Sequence, residues 1–274
     1  MPALPDFRDA VPGSASADGL IAQLHDVGAA ESPRAGSVDL REYFVDVDDQ
    51  LDLNSSSACA CASLVEYFQR RATGRLLRPS RLFLYQNALR LARVQGDPGV
   101  DLRTTIKAMI RCGMPPERHW PYEVDRLSAQ PDPFLYSFYD PYRSVRYLRL
   151  DGRDSSGIET LRVVKAFLAA GFPSAVGIPV PSSLSYEADI PYRPTFDSVL
   201  GGQAVLAVGY DDRWLRGSRG AFLVRSSWGP DWGDAGYGWL PYAYVEERLA
   251  SEFWTLFHDD WIASGEFDVP ELPT

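Results

Sequence analysis

The sequence predicts an α+β fold of two lobes, one helical and one strand-rich, with a cleft between them. Three observations carry that expectation. Helix-period apolar stripes dominate the first half, strand-period and continuous apolar runs dominate the chain after about Trp120, and no segment repeats. With 274 residues, 45% of them hydrophobic, the chain can bury a substantial core as one unit or as two closely packed lobes. A cleft between lobes is a common ligand site.

Residues 1–36 are rich in Pro, Ala, Ser, Asp and Gly and read as a flexible N-terminal arm, with one short helix expected around Gly19 to Val27. From Ala58 to Arg71 turn residues are scarce, and Leu64, Val65, Tyr67 and Phe68 predict a helix with a buried face. Ser55, Ser56 or Ser57 supplies its N-cap. A second helix is expected from Pro79 to Leu91, where Leu82, Phe83, Tyr85, Ala88 and Leu89 make a broad stripe, and a third from Thr104 to Arg111, stopped at Cys112-Gly113. These make a mainly helical part over about 37–135.

The strand-rich part follows over about 136–258, within a domain of 37–274. Val145 to Leu150 alternates in the strand period, and Glu159 to Ala170 is a helix ended by Gly171. Pro173 to Val180, Ala204 to Tyr210 and Ala221 to Arg225 read as buried strands.

Composition removes several function classes. The chain has 27 basic and 37 acidic residues, a formal charge of -10, and no sustained basic patch, which argues against nucleic acid and anionic membranes as partners. No apolar run approaches a membrane span, and the opening Met1 to Asp6 lacks the basic and apolar regions of a secretion signal, so a cytoplasmic protein is the default. Cys59, Cys61 and Cys112 are too few and too oddly numbered for a disulfide scaffold, and His25, His119 and His258 do not group with them into a zinc site. Asp231 and Asp234 stand three apart beside Gly233 and Gly236 without a full calcium-loop pattern. No metal and no cofactor is expected.

The chemistry-bearing motifs lie in the second half. Gly201-Gly202-Gln203-Ala204-Val205-Leu206-Ala207-Val208-Gly209-Tyr210-Asp211-Asp212 is followed by Arg225-Ser226-Ser227-Trp228-Gly229 and by Trp232-Gly233-Asp234-Ala235-Gly236-Tyr237-Gly238-Trp239-Leu240-Pro241-Tyr242. In order and spacing these resemble the GGHAV-x-x-VGYDD and RNSWG-x-x-WGD-x-GYG-x-LPY segments of papain-like cysteine peptidases, the C1 family, and most closely its bacterial members. Val38 to Arg41, Asp49-Gln50, Ser80 to Tyr85 and Trp120-Pro121-Tyr122 extend the resemblance over roughly 37–258. It implies a papain-like fold, with a helical lobe packed against a strand-rich, barrel-like lobe.

It also implies where the reacting groups belong. A gap-free register against DQGQLGSCTANA puts Ser56 at the nucleophile position and Glu66 where a glutamate often follows. The separation of Ser56 from Gln203 then matches that between the family's nucleophile and base. A competing register reads Cys59-Ala60-Cys61-Ala62-Ser63 as CWAFS, making Cys59 the nucleophile, but it needs three extra residues after Gln50 and displaces Glu66. In either register Gln203 stands at the histidine position and Ser226 at the asparagine position. Gln50 matches the oxyanion-hole glutamine, and Trp228 the tryptophan that shields the histidine–asparagine pair.

Those replacements bear directly on mechanism. A papain-like site needs a thiolate, an imidazole to move the proton and an amide to orient it. Gln203 donates and accepts hydrogen bonds but has no lone pair basic enough to take a proton near neutral pH, and a serine hydroxyl needs an activating base more than a thiol does. In a related serine triad, removing the members together costs roughly 10⁶-fold in turnover. The structural alternative is polar packing, with Ser56 capping its helix and Gln203 and Ser226 satisfying one another or a water. The expectation is therefore a catalytically silent relative that binds a peptide or protein in the inherited cleft. The alternative is a repurposed enzyme performing acyl transfer, hydrolysis or cyclisation on a small biosynthetic substrate, with His119 or the substrate itself supplying the acid/base group. Oligomeric state is not readable from the chain.

Overall fold

In a computed structural model, the described residues are 9–12, 14, 18, 19, 36–214, 219–268 and 270. A single antiparallel seven-stranded sheet holds the second half together: β1 (Ser37–Asp39), β2 (Arg146–Arg149), β3 (Ser174–Pro181), β4 (Val199–Asp211), β5 (Ala221–Arg225), β6 (Tyr237–Pro241) and β7 (Ser251–Phe257). The strands run in the order β2-β7-β3-β4-β5-β6, and β1 pairs separately with the far end of β4. Gly209 permits that extra pairing, because a Cβ there would stand 2.3 Å from the Val38 carbonyl oxygen.

The helical half supplies α1 (Ser56–Thr73), α2 (Arg81–Ala92) and α3 (Leu102–Cys112), with α4 (Gly157–Ala169) from the second half. Helix α1 is the centrepiece. Every residue from Ser57 to Phe68 is buried, so the helix has no solvent face along that stretch, and the small side chains from Ala58 to Ala62 sit within the core. It ends at Gly74, whose φ of 68° places it in the left-handed region that glycine adopts without a Cβ penalty. Ser80 caps α2 by accepting from the Phe83 N–H, and Asp101 caps α3 by accepting from the Thr104 N–H. Ser156 and Glu159 form a reciprocal capping box on α4.

The elements expected from Ala58 to Arg225 are all present, with α1 longer than the periodicity suggests by two residues at each end. The sequence predicts neither β6 nor β7. In β6, Gly238 and Pro241 give a strand the composition of a turn, while β7 is almost wholly buried and so shows no alternation. Strand β4 begins five residues before its expected start because Val199 to Gly202 are exposed and carry no burial signal.

Of the N-terminal arm, Asp9 and Ala10 are docked. Asp9 pairs with Arg103 and lies 3.6 Å from the buried Arg149 guanidinium, and the Arg149 N–H donates to the Ala10 carbonyl at 2.8 Å. Of the helix expected around Gly19 to Val27, only Gly19 falls within the described residues. Among the described residues no helix is long and apolar enough to cross a membrane.

Candidate functional site

Three chain segments converge at the cleft. The Gln50 loop is stitched to the segment after β5 by an antiparallel bridge between Asp49 and Trp228 and by the Gln50 N–H donating to the Ser227 carbonyl at 2.8 Å. Ser56 is the first residue of α1, and Gln203 stands on β4 opposite Ile178 of β3. The structure thus brings Gln50, Ser56, Gln203 and the Ser226-Ser227-Trp228 segment together from regions far apart in sequence.

The hydrogen bonds show how these groups are used. The Gln203 side-chain amide donates to Gln50 Oε1 at 2.8 Å and to Ser227 Oγ at 3.2 Å, so both of its N–H bonds are spent. Ser227 in turn donates to Gln50 Oε1 at 2.7 Å, and Gln50 Nε2 donates to the Leu53 carbonyl at 2.9 Å. The result is a closed triangle of Gln50, Gln203 and Ser227, anchored to the loop before α1. All three members are buried.

Ser56 does not cap its helix, contrary to the sequence expectation. It lies inside the first turn, and its Oγ accepts from the Ala204 N–H at 3.1 Å, which ties the start of α1 to the residue after Gln203. Ser55 holds the N-cap position without a side-chain capping bond, because its hydroxyl is turned to Tyr122 Oη at 2.6 Å. Tyr122 donates to the Gln50 carbonyl at 2.8 Å, so Ser55 must be the donor in their contact. Ser57 accepts from Thr105 Oγ1 at 3.0 Å. Nor do Gln203 and Ser226 satisfy each other. The partner is Ser227, one residue on, and Ser226 Oγ is buried with no hydrogen-bond partner among the described residues.

Cys59, the alternative nucleophile, lies one turn into α1 and is 2% exposed. Its thiol sits 3.8 Å from Ser55 Oγ, to which it can only donate, since the Ser55 proton is committed to Tyr122. Burial pushes its pKa up to about 11, against the opposing pull of the Arg81 guanidinium, which keeps it a thiol rather than a thiolate. Cys61 is also buried and pushed up, chiefly by desolvation. Both differ from the electropositive, accessible setting of a reactive cysteine.

The two described histidines lie elsewhere. His119 is exposed and its ring packs on Phe138 with centroids 5.5 Å apart, while His258 accepts from the Asp260 N–H and lies against Trp261. His25 lies outside the described residues. Asp234 is paired with Arg41 at 3.0 Å, and no group of three His, Cys, Asp or Glu that could hold a metal ion occurs among the described residues. Trp228 meets Trp232 edge-on at 4.7 Å between ring centroids, beside the bridge to Asp49.

The open part of the cleft is a cavity of about 540 Å³, large enough for a peptide side chain and its backbone. Gln50, Ser56 and Gln203 border it at one end, with Ile178, Val199 and Leu249 among its apolar walls. Asp101 and Glu252 are the carboxylates on its lining, which among the described residues holds no histidine, lysine or arginine.

A second assembly lies behind the Gln50 loop, where sequence reading marked only Glu66. Asp48 accepts from Arg78 at 2.8 Å and faces Arg81 at 3.4 Å, while Arg78 Nε stands 3.5 Å from Glu66 and Arg81 stands 3.6 Å from Glu117. Burial pushes the Glu66 carboxyl up to about 8, with Asp48 adding to the rise and Arg78 and Arg225 opposing it. Arg81 also lies over the Tyr122 ring at 4.4 Å, connecting this assembly to the Gln50 loop. Tyr122 and Ser227 lie inside the Trp120-Pro121-Tyr122 and Arg225 to Gly229 motifs, but nothing in their own type marks them as site residues.

A helix N-terminus facing a long strand across a cleft, with a glutamine loop and an aromatic turn at its rim, is the architecture of a two-lobed thiol peptidase. The profile described as papain family cysteine protease matches residues 36–246, and the chain belongs to that family. An uncharacterised peptidase C1-like protein of Acanthamoeba polyphaga mimivirus is 33% identical over 217 residues, covering 76% of this chain and 68% of that protein. Among solved structures, xylellain, a cysteine protease from Xylella fastidiosa, superposes with a TM-score of 0.76 at 29% identity, covering 94% of each chain. Procathepsin L2 from the larval midgut of Tenebrio molitor shares the fold with a TM-score of 0.67 at 21% identity, over 94% of this chain and 76% of the other.

Proposed function

We propose that this papain-family protein is a pseudopeptidase, without cysteine-peptidase turnover, whose cleft binds a peptide or a protein segment. The observation that carries this reading is the Gln203 side chain, which spends both N–H bonds on Gln50 and Ser227 at the position where the family resemblance calls for a proton-transferring imidazole. Among the described residues, Ser56 Oγ makes one side-chain hydrogen bond, as acceptor from Ala204 N–H. A hydroxyl used as an acceptor, with no base bonded to it, is not an activated nucleophile. The cavity of about 540 Å³ beside it still offers room and apolar wall for a ligand.

The test has two arms. Native protein treated with a panel of peptidyl epoxide and fluoromethyl ketone probes is expected to show no adduct at Ser56, Cys59 or Cys61 by intact mass, and no cleavage of a randomised peptide pool. Peptides selected from a displayed library should bind, and binding should be lost in Gly202→Phe, because Gly202 borders the cavity and a Cβ there meets nothing within 4 Å. Turnover abolished by Ser56→Ala would overturn the silent reading. Retained binding in Gly202→Phe would move the ligand out of the cleft.

A further inference from the structure

A second cavity, of about 10 Å³, lies between the first two turns of α1, strand β4 and the segment after β5. Asp48, Cys59, Ser63, Arg225, Ser226 and Ser227 supply its polar border. A volume of this size is about the room a single water requires, and larger ligands are excluded. Cavities that stay dry are lined by apolar side chains, and this one is not.

Ser226 is the informative neighbour. It is 6% exposed, and its Oγ has no hydrogen-bond partner among the described residues, although its backbone N–H is satisfied by the Gly236 carbonyl at 3.0 Å. The two side-chain amides of the site are already committed, Gln203 to Gln50 and Ser227, and Gln50 to the Leu53 carbonyl. A buried hydroxyl left unpaired is costly, and native folds answer such a group with a protein partner or an ordered water. Serine is also shorter than the asparagine that the family motif carries here, so the side chain stops short and polar space remains beyond it.

We propose that this cavity is a built site for one structural water molecule, held by Ser226 Oγ and by the polar groups facing it from Asp48, Ser63 and Cys59. The water completes the hydrogen bonding of Ser226 and steadies the turn that presents Ser227 to Gln50 and Gln203. It performs the packing role of the missing amide without its chemistry. The water site does not depend on whether the cleft turns over a substrate, because its lining includes none of Gln50, Ser56 and Gln203.

A high-resolution crystal structure of the full chain, with water relaxation dispersion in solution, tests this. The native protein should show a density peak within hydrogen-bond reach of Ser226 Oγ. Ser226→Asn should lose one long-lived internal water as the amide fills the space, and Ser226→Ala should lose the peak or most of its occupancy. An empty cavity in the native map overturns the proposal, as does a fully occupied water in Ser226→Ala. Where Ser226→Asn does not fold, the native map and the alanine variant decide.

Discussion

The cleft face and the charged assembly behind the Gln50 loop solve the same problem, burying polar groups, by opposite means. At the cleft, Gln50, Gln203 and Ser227 are neutral and satisfy one another in a closed triangle. Behind the loop, the buried Asp48 carboxylate pairs with Arg78 and Arg81, and the ionisable Glu66, pushed up to about 8 by burial, lies 3.5 Å from Arg78. Neutral networks respond weakly to pH and lose about 1–3 kcal/mol with one member, whereas buried ion pairs depend on pH and lose more when one partner goes. The triangle at the cleft therefore holds no titrating side chain, and the ionisable groups are gathered behind the loop.

The largest effect is expected from Asp48→Ala. It removes the carboxylate that faces both Arg78 and Arg81, and the Arg81 side chain is only 11% exposed. Breaking such a pair from one side costs about 3–5 kcal/mol. Urea denaturation should show that loss, and a change below about 1 kcal/mol, the value of a surface pair, would mean that the assembly is solvated and the contrast with the cleft is false.

Glu66 sets the pH dependence of the same region. Its carboxyl is raised in the folded protein from an ordinary 4.5 to about 8, so the native state holds the proton more tightly than the unfolded chain does. The resulting stabilisation is complete below about pH 4.5 and is lost as pH rises through about 8. A tenfold difference in proton affinity between the folded and unfolded states corresponds to about 1.4 kcal/mol, so the loss across this window amounts to a few kcal/mol. Glu66→Gln keeps the neutral form at every pH and should flatten the thermal-stability profile between about pH 4.5 and pH 8. An unchanged slope in that variant would assign the dependence to another group.

At the cleft, Gln203→Ala should cost about 1–3 kcal/mol, the penalty of unpaired buried acceptors, because Gln50 Oε1 keeps the Ser227 proton but loses the Gln203 one. The loss should be the same at pH 6 and pH 9, since no member of the triangle titrates there. A strongly pH-dependent loss would show that the two regions are coupled through the Arg81–Tyr122 contact.

How much of this contrast the sequence carried depends on the kind of signal. The two-lobed fold was legible because α1, α2 and α3 have dense apolar stripes and because the Gly201 to Asp212 and Arg225 to Tyr242 motifs keep their order. Gln50, Ser56, Gln203 and Trp228 could be placed by motif register. The partners could not. Ser227 replaces Ser226 as the Gln203 partner by one position along the chain, and only side-chain direction after β5 decides between them. Ser55, Ser56 and Ser57 are identical in type, yet they bond to Tyr122, Ala204 and Thr105, three elements distant in sequence. The charged assembly has no sequence signature because Asp48 lies about thirty residues from Arg78 and Arg81, and only the fold brings them together.

The smallest change in stability should come with the largest change in ligand binding. Gly202 lies in the exposed start of β4, has no left-handed backbone requirement, and offers open space to a side chain. Gly202→Phe should therefore alter stability by no more than about 0.5 kcal/mol, as a surface substitution away from packed or strained positions does. Its ring would nonetheless stand at the border of the cavity that runs from Ser56 to Val199. Titration of a selected peptide against this variant and against Asp48→Ala, at a temperature where both are folded, separates the two regions. The first should bind at least ten-fold more weakly with an unchanged melting temperature, and the second should melt earlier while retaining the native affinity. If instead the Asp48 variant alone loses the peptide, ligand recognition depends on the charged assembly through the Gln50 loop, and the cleft's neutral network is a relay for it.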